Sequence, residues 1–394
     1  MKKIIAKSAA LIASASILAS TIMPVFADTA TNDTTGYNSV NDTSVTNSNN
    51  VKVENVSDAF ISNTVKTTSN TGNNSASQNT MGGMIQTGDA TSDVAVLNSA
   101  NINTTLVDLG RDGGLNTAGN SITGAKSDND AVITNSNRVG IKNDNTAVLQ
   151  NNLNVNSNTG GNFANQNTDG VGGMVQTGDA VSLVSLANRA NDSATGVRGL
   201  NNFGSNVVGN SITGFNSMND ASITNANSVT VNNVSDAFVS NTIRARANTG
   251  ANSASQNTMG GLIQSGNSLA DIGIETDANI VTTNVDAGMA DAQATSGNSI
   301  TGAKSFNTTT LLNNHNVTVT NRNNKDESED ANDPRYENIL WGVVNIDVDE
   351  SNTGGNFADQ NTYPSSVASG IAMVGKYIRV CLNDTLTSIG SLLP

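Results

Sequence analysis

Few residues in this sequence have side chains suited to catalysis. There is one histidine, His315, and one cysteine, Cys381. Nucleophilic catalysis needs a nucleophile and a base within hydrogen-bond distance, and His315 stands between Asn314 and Asn316 with no such partner beside it in the sequence. No Gly-x-Ser-x-Gly turn joins a strand to a helix. The sequence predicts that the protein is not an enzyme and has no catalytic, cofactor-binding or metal-ligating residues.

The carboxylates recur with internal repeats and do not form one unique cluster. The matching pairs are Asp58 with Asp236, Asp89 with Asp179, and Asp130 with Asp220. Asp is common beside turns because it bonds nearby backbone amides, and we interpret most of these residues in that way. Two alternatives stay open. One is a β-helical enzyme that acts on polysaccharides. The other is weak calcium binding by turn oxygens, although the Gly-Gly-x-Gly-x-Asp repeat of calcium-binding β-helices is absent.

Composition narrows the class of protein. The formal net charge of −14 leaves no basic stripe to neutralise phosphates, so nucleic acid is excluded as a partner. Aromatic residues make up only 3% of the chain, too few to fill a wide core. Val, Ile and Thr alternate with polar residues, which favours ordered strands over disorder. We expect a fold with a thin cross-section.

The N-terminus has the features of a bacterial export signal. Lys2 and Lys3 precede an apolar stretch that ends in Pro24-Val25-Phe26-Ala27. A basic head, an apolar middle and small residues before the cleavage point are typical of a secretory signal peptide. Residues 1–27 are therefore predicted to be removed, so that the mature chain begins at Asp28. The expected location is secreted or extracellular, at the cell surface, with no transmembrane segment in the mature chain.

A large unit of 88 to 90 residues occurs three times, followed by a partial fourth copy. The block Asn-Thr-Gly-x-Asn-x-Ala-x-Gln-Asn-Thr marks it, starting at Asn70, Asn158, Asn248 and Asn352. Thr-Gly pairs divide the unit into smaller steps of about 16–18 residues or their multiples, a short internal period of the kind found in repeat folds. The last gap between these pairs is longer by one such step. The fourth copy is therefore predicted to carry one extra coil near 324–350.

These steps predict an all-β, single-chain β-solenoid or β-helix with coils of about 16–18 residues, occupying 28–362. About 18 coils at the inter-strand spacing would form a rod of roughly 85–90 Å. Asn residues at matching positions of successive coils are expected to form amide ladders. Residues 363–394 depart from the repeat. They are either a cap on the last coil or the product of a reading-frame change, which sequencing the encoding DNA would distinguish.

The blocks Gly161-Asn162-Phe163-Ala164-Asn165-Gln166 and Asn252-Ser253-Ala254-Ser255-Gln256 loosely resemble curlin repeats. More broadly, the chain resembles Asn/Thr/Gly-rich bacterial surface solenoids, including adhesin stalks. That resemblance implies a structural or adhesive surface protein with a long polar face for glycans, other cells or copies of itself. A self-assembling extracellular fibre subunit, of the functional-amyloid kind, is the alternative.

Overall fold

The protein is all-β, as the alternating sequence pattern predicts. A computed structural model describes residues 15–21, 28–110, 114–168, 172–200, 204–286, 294–323 and 342–390. Within these ranges the regular structure is β-strand, without an α-helix. It follows that no helix of the described chain has the length and apolarity needed to cross a membrane.

The strands fall into a short N-terminal element followed by four similar sets. The first element is β1 (Ala15–Thr21). The first set comprises β2 (Thr29–Asp33), β3 (Val40–Asn70), β4 (Gly83–Gln86) and β5 (Ala90–Asp108). The second comprises β6 (Leu115–Ser121), β7 (Asp128–Asn158), β8 (Gly173–Gln176) and β9 (Ala180–Arg198). The third comprises β10 (Ser205–Ser211), β11 (Met218–Asn248), β12 (Gly261–Gln264) and β13 (Ser268–Asp286). The fourth comprises β14 (Ala294–Ser299), β15 (Phe306–Asn323), β16 (Gly342–Asn352), β17 (Ser366–Ala368), β18 (Ala372–Leu382) and β19 (Thr385–Gly390).

Each set forms one layer of a parallel stack. The four sheets have the strand orders β14-β10-β6-β2, β15-β11-β7-β3, β17-β12-β8-β4 and β1-β5-β9-β13-β18, with β16 and β19 extending the second and fourth. Every large repeat therefore contributes to all four sheets. Val40 pairs with Asp128, which pairs with Met218, which pairs with Phe306.

The predicted short coil is wrong, because the unit that stacks is the whole large repeat. The longest spacings between Thr-Gly pairs contain uninterrupted strands such as β3, with 31 residues. Side-chain ladders require the same residue type at the same place in each layer, and the sequence meets that requirement only at the larger period. The predicted rod of many coils is wrong for the same reason. Four layers are about 14 Å apart from first to last, while a strand as long as β3 spans about 100 Å.

The additional segment of the fourth unit interrupts a strand. β15 ends at Asn323, opposite Ser235, and β16 resumes at Gly342, opposite Phe238. Residues 342–350 therefore continue the fourth layer, which corrects the prediction of an extra coil over that part of 324–350. Residues 324–341 lie outside the described residues.

The divergent tail continues the fourth layer up to Gly390. Ser366 pairs with Leu262, Ala372 with Ser268, and the last paired residue, Gly390, with Asp286. The tail thus keeps the register of the repeat even where its sequence has left the repeat pattern. Its position is that of the last layer of the stack, and the reading-frame change stays a prediction.

A narrow core lies between the long strands. Along β7 and β11 the side chains alternate between buried and partly exposed, as expected for strands with one face inward. The apolar clusters consist of aliphatic residues stacked from layer to layer, such as Val139 on Val229 and Ile133 on Ile223. Between these clusters the inward positions are polar. The core therefore consists of apolar columns and amide columns that run from layer to layer.

Candidate functional site

Asparagine and glutamine side chains form hydrogen-bonded columns through the stack. Asn55 donates through Nδ2 to Oδ1 of Asn143, Asn143 to Asn233, and Asn233 to Asn321, each at 2.7 Å. Other complete columns are Asn41–Asn129–Asn219–Asn307, Asn47–Asn135–Asn225–Asn313, Asn63–Asn151–Asn241–Asn345, Asn101–Asn191–Asn279–Asn383 and Gln78–Gln166–Gln256–Gln360. Buried amides are costly unless both their donors and acceptors are used, and the columns use both.

These columns have a common direction. In each of them the amide nitrogen of one layer donates to the amide oxygen of the next layer toward the C-terminus. The second hydrogen of the amide is used within the layer, as when Asn233 also donates to Thr283 at 2.9 Å. One column, Asn70–Asn158–Asn248–Asn352, runs in the opposite sense. The stack therefore has two chemically different ends.

We call the outer edge of β2–β5 the first face and the outer edge of β14–β19 the fourth face. At the first face the columns of common direction end in amide oxygens, such as Oδ1 of Asn55, and the reversed Asn70 column ends there in an amide nitrogen. At the fourth face the columns of common direction end in amide nitrogens, such as Nδ2 of Asn321, which donates within its layer to Thr387 at 2.8 Å. The two faces are thus complementary in hydrogen bonding.

The fourth layer replaces part of the apolar core with charge. Three inward columns read Val65–Leu153–Ile243–Asp347, Thr67–Val155–Ala245–Asp349 and Val94–Val184–Ile272–Lys376. Asp347 and Lys376 form an ion pair across the core, with the side chain of Asp347 only 10% exposed. Inward charges at a sheet edge are one of the devices by which proteins discourage indiscriminate strand pairing.

Asp349 lacks such a direct partner. Its Oδ1 atom is enclosed and accepts no hydrogen bond from a described residue. Burial raises the pKa of Asp349, and the carboxylate of Asp347 raises it further, while Lys376 acts in the opposite direction. The fourth face therefore holds a carboxylate that a hydroxyl or amide donor would stabilise.

A second group of carboxylates lies on the second of the four sheets. Asp42, Asp130 and Asp220 stack on one another in successive layers. Burial raises the pKa of Asp130, and the charges of Asp128, Asp42 and Asp220 raise it further. This column places like charges together without a cation among the described residues close enough to offset the shift.

The structure separates the residues considered for chemistry. His315, in β15, takes the place of an asparagine in its column, and its Nδ1 lies 2.9 Å from Nδ2 of Asn227. Cys381 is a half-buried free thiol in β18, in a different sheet. No group of three His, Cys, Asp or Glu residues in the described chain is placed to hold a metal ion.

The repeated aspartates have more than one role. Asp89 and Asp179 lie in connections between strands, as expected, but their Oδ1 atoms accept from the backbone N–H groups of Asp179 and Asn267 in the next layer rather than from amides of their own turn. The turn interpretation is wrong for Asp58, Asp236, Asp130 and Asp220, which lie within the long strands β3, β7 and β11. The acidic run at 326–330 lies outside the described residues.

An open polar groove of about 390 Å³ lies near the ends of the long strands. Asn70, Asn158, Asn248 and Asn352 contribute to its wall, and Arg246 and Glu350 form an ion pair of 2.7 Å there. The lining contains no aromatic side chain, whereas small-molecule sites are usually apolar and partly aromatic. The groove is therefore a weaker candidate site than the two faces.

The two faces were not identified as sites by sequence reasoning. The signal was present as asparagines recurring at the period of the large repeat, but the small step assigned them to the wrong neighbours. No protein family model, curated protein sequence or solved structure matches the chain.

Proposed function

We propose that the protein is a secreted, cell-surface structural protein whose repeats form the laps of a β-solenoid, one large repeat per lap. The single observation that carries this proposal is the set of amide columns through four layers. They commit the most abundant polar side chains to holding layers together, which is the role of a scaffold. Outward-facing Thr, Asn and Ser side chains would form the polar surface that contacts glycans or other cells.

A structural role is also favoured over enzymatic activity by the arrangement of the titratable groups. His315 and Cys381 occupy stacking positions in separate sheets, and the aspartates recur from layer to layer. A catalytic set requires mutual hydrogen-bond geometry at one place. We therefore propose a mechanical or adhesive role for this protein.

Export is tested by comparing the full chain with a chain that lacks residues 2–27 in a bacterial host. We expect the full chain to be found outside the cytoplasm with Asp28 as its first residue, and the shortened chain to stay inside. Mass spectrometry of the N-terminus and protease treatment of intact cells provide the readouts. An uncleaved chain protected inside the cell would overturn the proposed location.

A further inference from the structure

We propose that the fourth face of one copy binds the first face of another copy, so that the molecules join head to tail with the repeat register continued. This inference rests on the proposed structural function and names the partner of the two faces, a second copy of this chain.

Residue types match across such a contact. Continuing the register places Asn307, Asn313 and Asn321 on Asn41, Asn47 and Asn55. It also places Val317 and Val319 on Val51 and Val53, which belong to the same apolar cluster. The joint would thus extend both amide columns and the core.

The direction of the columns selects the orientation. Amide nitrogens at the fourth face would donate to amide oxygens at the first face. Joining two first faces would bring oxygen against oxygen, and joining two fourth faces would bring donor against donor. When the fourth face of one copy binds the first face of another, the pair still exposes one first face and one fourth face. Further copies can add at both ends, which produces an open filament.

Asp349 gains a donor in this arrangement. The residue of the incoming first layer that lies on Asp349 is Thr67, which faces inward. Its column continues with Val155 and Ala245, so only the first layer offers a hydroxyl there. The ion pair of Asp347 and Lys376, whose side chains are 10% and 45% exposed, would meet Val65 and Val94. Enclosing an ion pair against apolar groups costs free energy, so this joint is weaker than the contacts between layers of one chain.

The N-terminal segment occupies part of the first face. β1 pairs with Ile102–Asp108, and the preceding copy's β19 would pair with Asn103–Asp108. The two strands compete for one edge. Removal of residues 1–27 would free that edge, which couples assembly to the proposed cleavage after export.

Glycine spacing provides a selective probe of the joint. A Cβ atom added to Gly72, Gly160 or Gly250 would overlap the carbonyl oxygen of the glycine in the next layer. At Gly354, the last of this column, the nearest atom to an added Cβ is Oδ1 of Asn352 at 3.7 Å. Gly354→Ala therefore fits a single molecule, but it would strike Gly72 of an incoming copy.

The decisive experiment uses the lone thiol of Cys381 in the chain beginning at Asp28. The residue of the next copy expected to lie on Cys381 is Ser99, on the outer side of β5. Neighbouring parallel strands bring Cα atoms within the range that a disulfide spans. The wild-type chain is mixed with a Ser99→Cys, Cys381→Ser chain of different mass and oxidised. A mixed disulfide dimer is expected, and the double-thiol variant Ser99→Cys should give a ladder of higher oligomers.

The matched control moves the introduced thiol to Thr91, eight positions along the same strand and about 26 Å away. Thr91→Cys should give at least tenfold less mixed dimer. Equal yields from positions 91 and 99, or dimers formed only between identical chains, would refute head-to-tail joining in this register.

Two further variants separate failure of the joint from failure of the fold. Gly354→Ala should abolish the mixed disulfide while circular dichroism and melting temperature stay unchanged, and Gly140→Ala, whose added Cβ lies 4.0 Å from the nearest carbonyl oxygen, should preserve it. Asp347→Ile with Lys376→Ile should increase filament yield. A folded strand-rich monomer that never joins would refute this inference and leave the structural proposal standing, whereas an unstructured chain would refute both.

Discussion

At the scale of single residues, the buried amides determine the register. Asn233 is fully buried and bonds to Asn143, Asn321 and Thr283. An alanine in its place would leave two buried partners, Asn143 and Thr283, and the half-buried Asn321 each without one hydrogen bond, and each unsatisfied buried group costs about 1–3 kcal/mol. A hydrophobic residue at position 233 would also have no apolar partner at the same position in the layers above and below.

We predict that Asn233→Ala lowers the free energy of unfolding by about 2–4 kcal/mol, the scale of one or two unsatisfied buried groups. The control is Asn232→Ala, one residue earlier on the outer face, which should change stability by less than about 0.5 kcal/mol. Denaturant unfolding followed by circular dichroism measures both. Equal effects at the two positions would contradict the role assigned to the columns.

The carboxylate column predicts how stability depends on pH. Because folding raises the pKa of Asp130 above its ordinary value of 3.8, the folded state binds the proton more tightly than the unfolded state. The resulting stabilisation is complete below that ordinary value and is lost as the pH rises through the raised pKa. At neutral pH the charge therefore lowers stability.

Asp130→Asn is expected to raise the melting temperature at pH 7 and to reduce its dependence on pH in the acidic range. The gain should be no more than about 1 kcal/mol, because Asp130 is partly exposed and its charge is screened. Melting curves from pH 3 to 7 provide the test, with the exposed Asp58→Asn as control. A lower melting temperature for Asp130→Asn at pH 7 would contradict this assignment.

At the scale of strands, alternation in the sequence was enough to predict strands and their inward faces. Val51-Lys52-Val53 and Val229-Thr230-Val231 are in strands with the valines inward. The pairing partner was not predictable from the same pattern, because alternation specifies a face and leaves the neighbour undefined. The Thr-Gly pairs marked turns at Gly72 and Gly88 but not at Gly196, which lies inside β9. The spacing of these pairs therefore predicted the wrong number of residues for one turn of the solenoid.

The C-terminal tail also shows a limit of what the sequence pattern predicts. Ala372–Leu382 alternates in a way that suits a strand, although its residue types differ from those of β9 and β13. A last layer has only one neighbour within its own chain, so its side chains meet fewer constraints. Lys376 faces Asp347 across the core because the two residues occupy the positions of Ile272 and Ile243 of the preceding layer, a correspondence that only the register of the whole repeat reveals.

At the scale of the whole molecule, the unit that can be added or removed is one layer. In a stack, each repeat contacts only its neighbours, and stability is close to a sum over repeats and the contacts between them. Deleting Asp128–Ser217, one complete repeat, would join Ser127 to Met218 and place β11 against β3 in the register that β7 has in the parent chain. A three-layer stack is the expected product.

This deletion should melt cooperatively, at a lower temperature than the parent chain, with the same strand signature in circular dichroism. The matched deletion of 160–177 removes one of the smaller steps of about 16–18 residues and with it β8, so it should disrupt the sheet β17-β12-β8-β4 and the pairing of β9. Hydrogen exchange then shows whether the unit that stacks is the large repeat or the smaller step. Protection retained after the short deletion and lost after the long one would invalidate the layer assignment.

The interruption between Asn323 and Gly342 has a practical consequence. β15 ends above Ser235 and β16 begins above Phe238, three positions on and about 10 Å away, and both strands are paired with β11. A guest peptide or small domain with its termini about that far apart would fit this gap without moving a single pairing. Ser57 and Asn145 occupy the same register position within the uninterrupted strands β3 and β7, so they are the corresponding positions at which to test such grafts in the first and second layers.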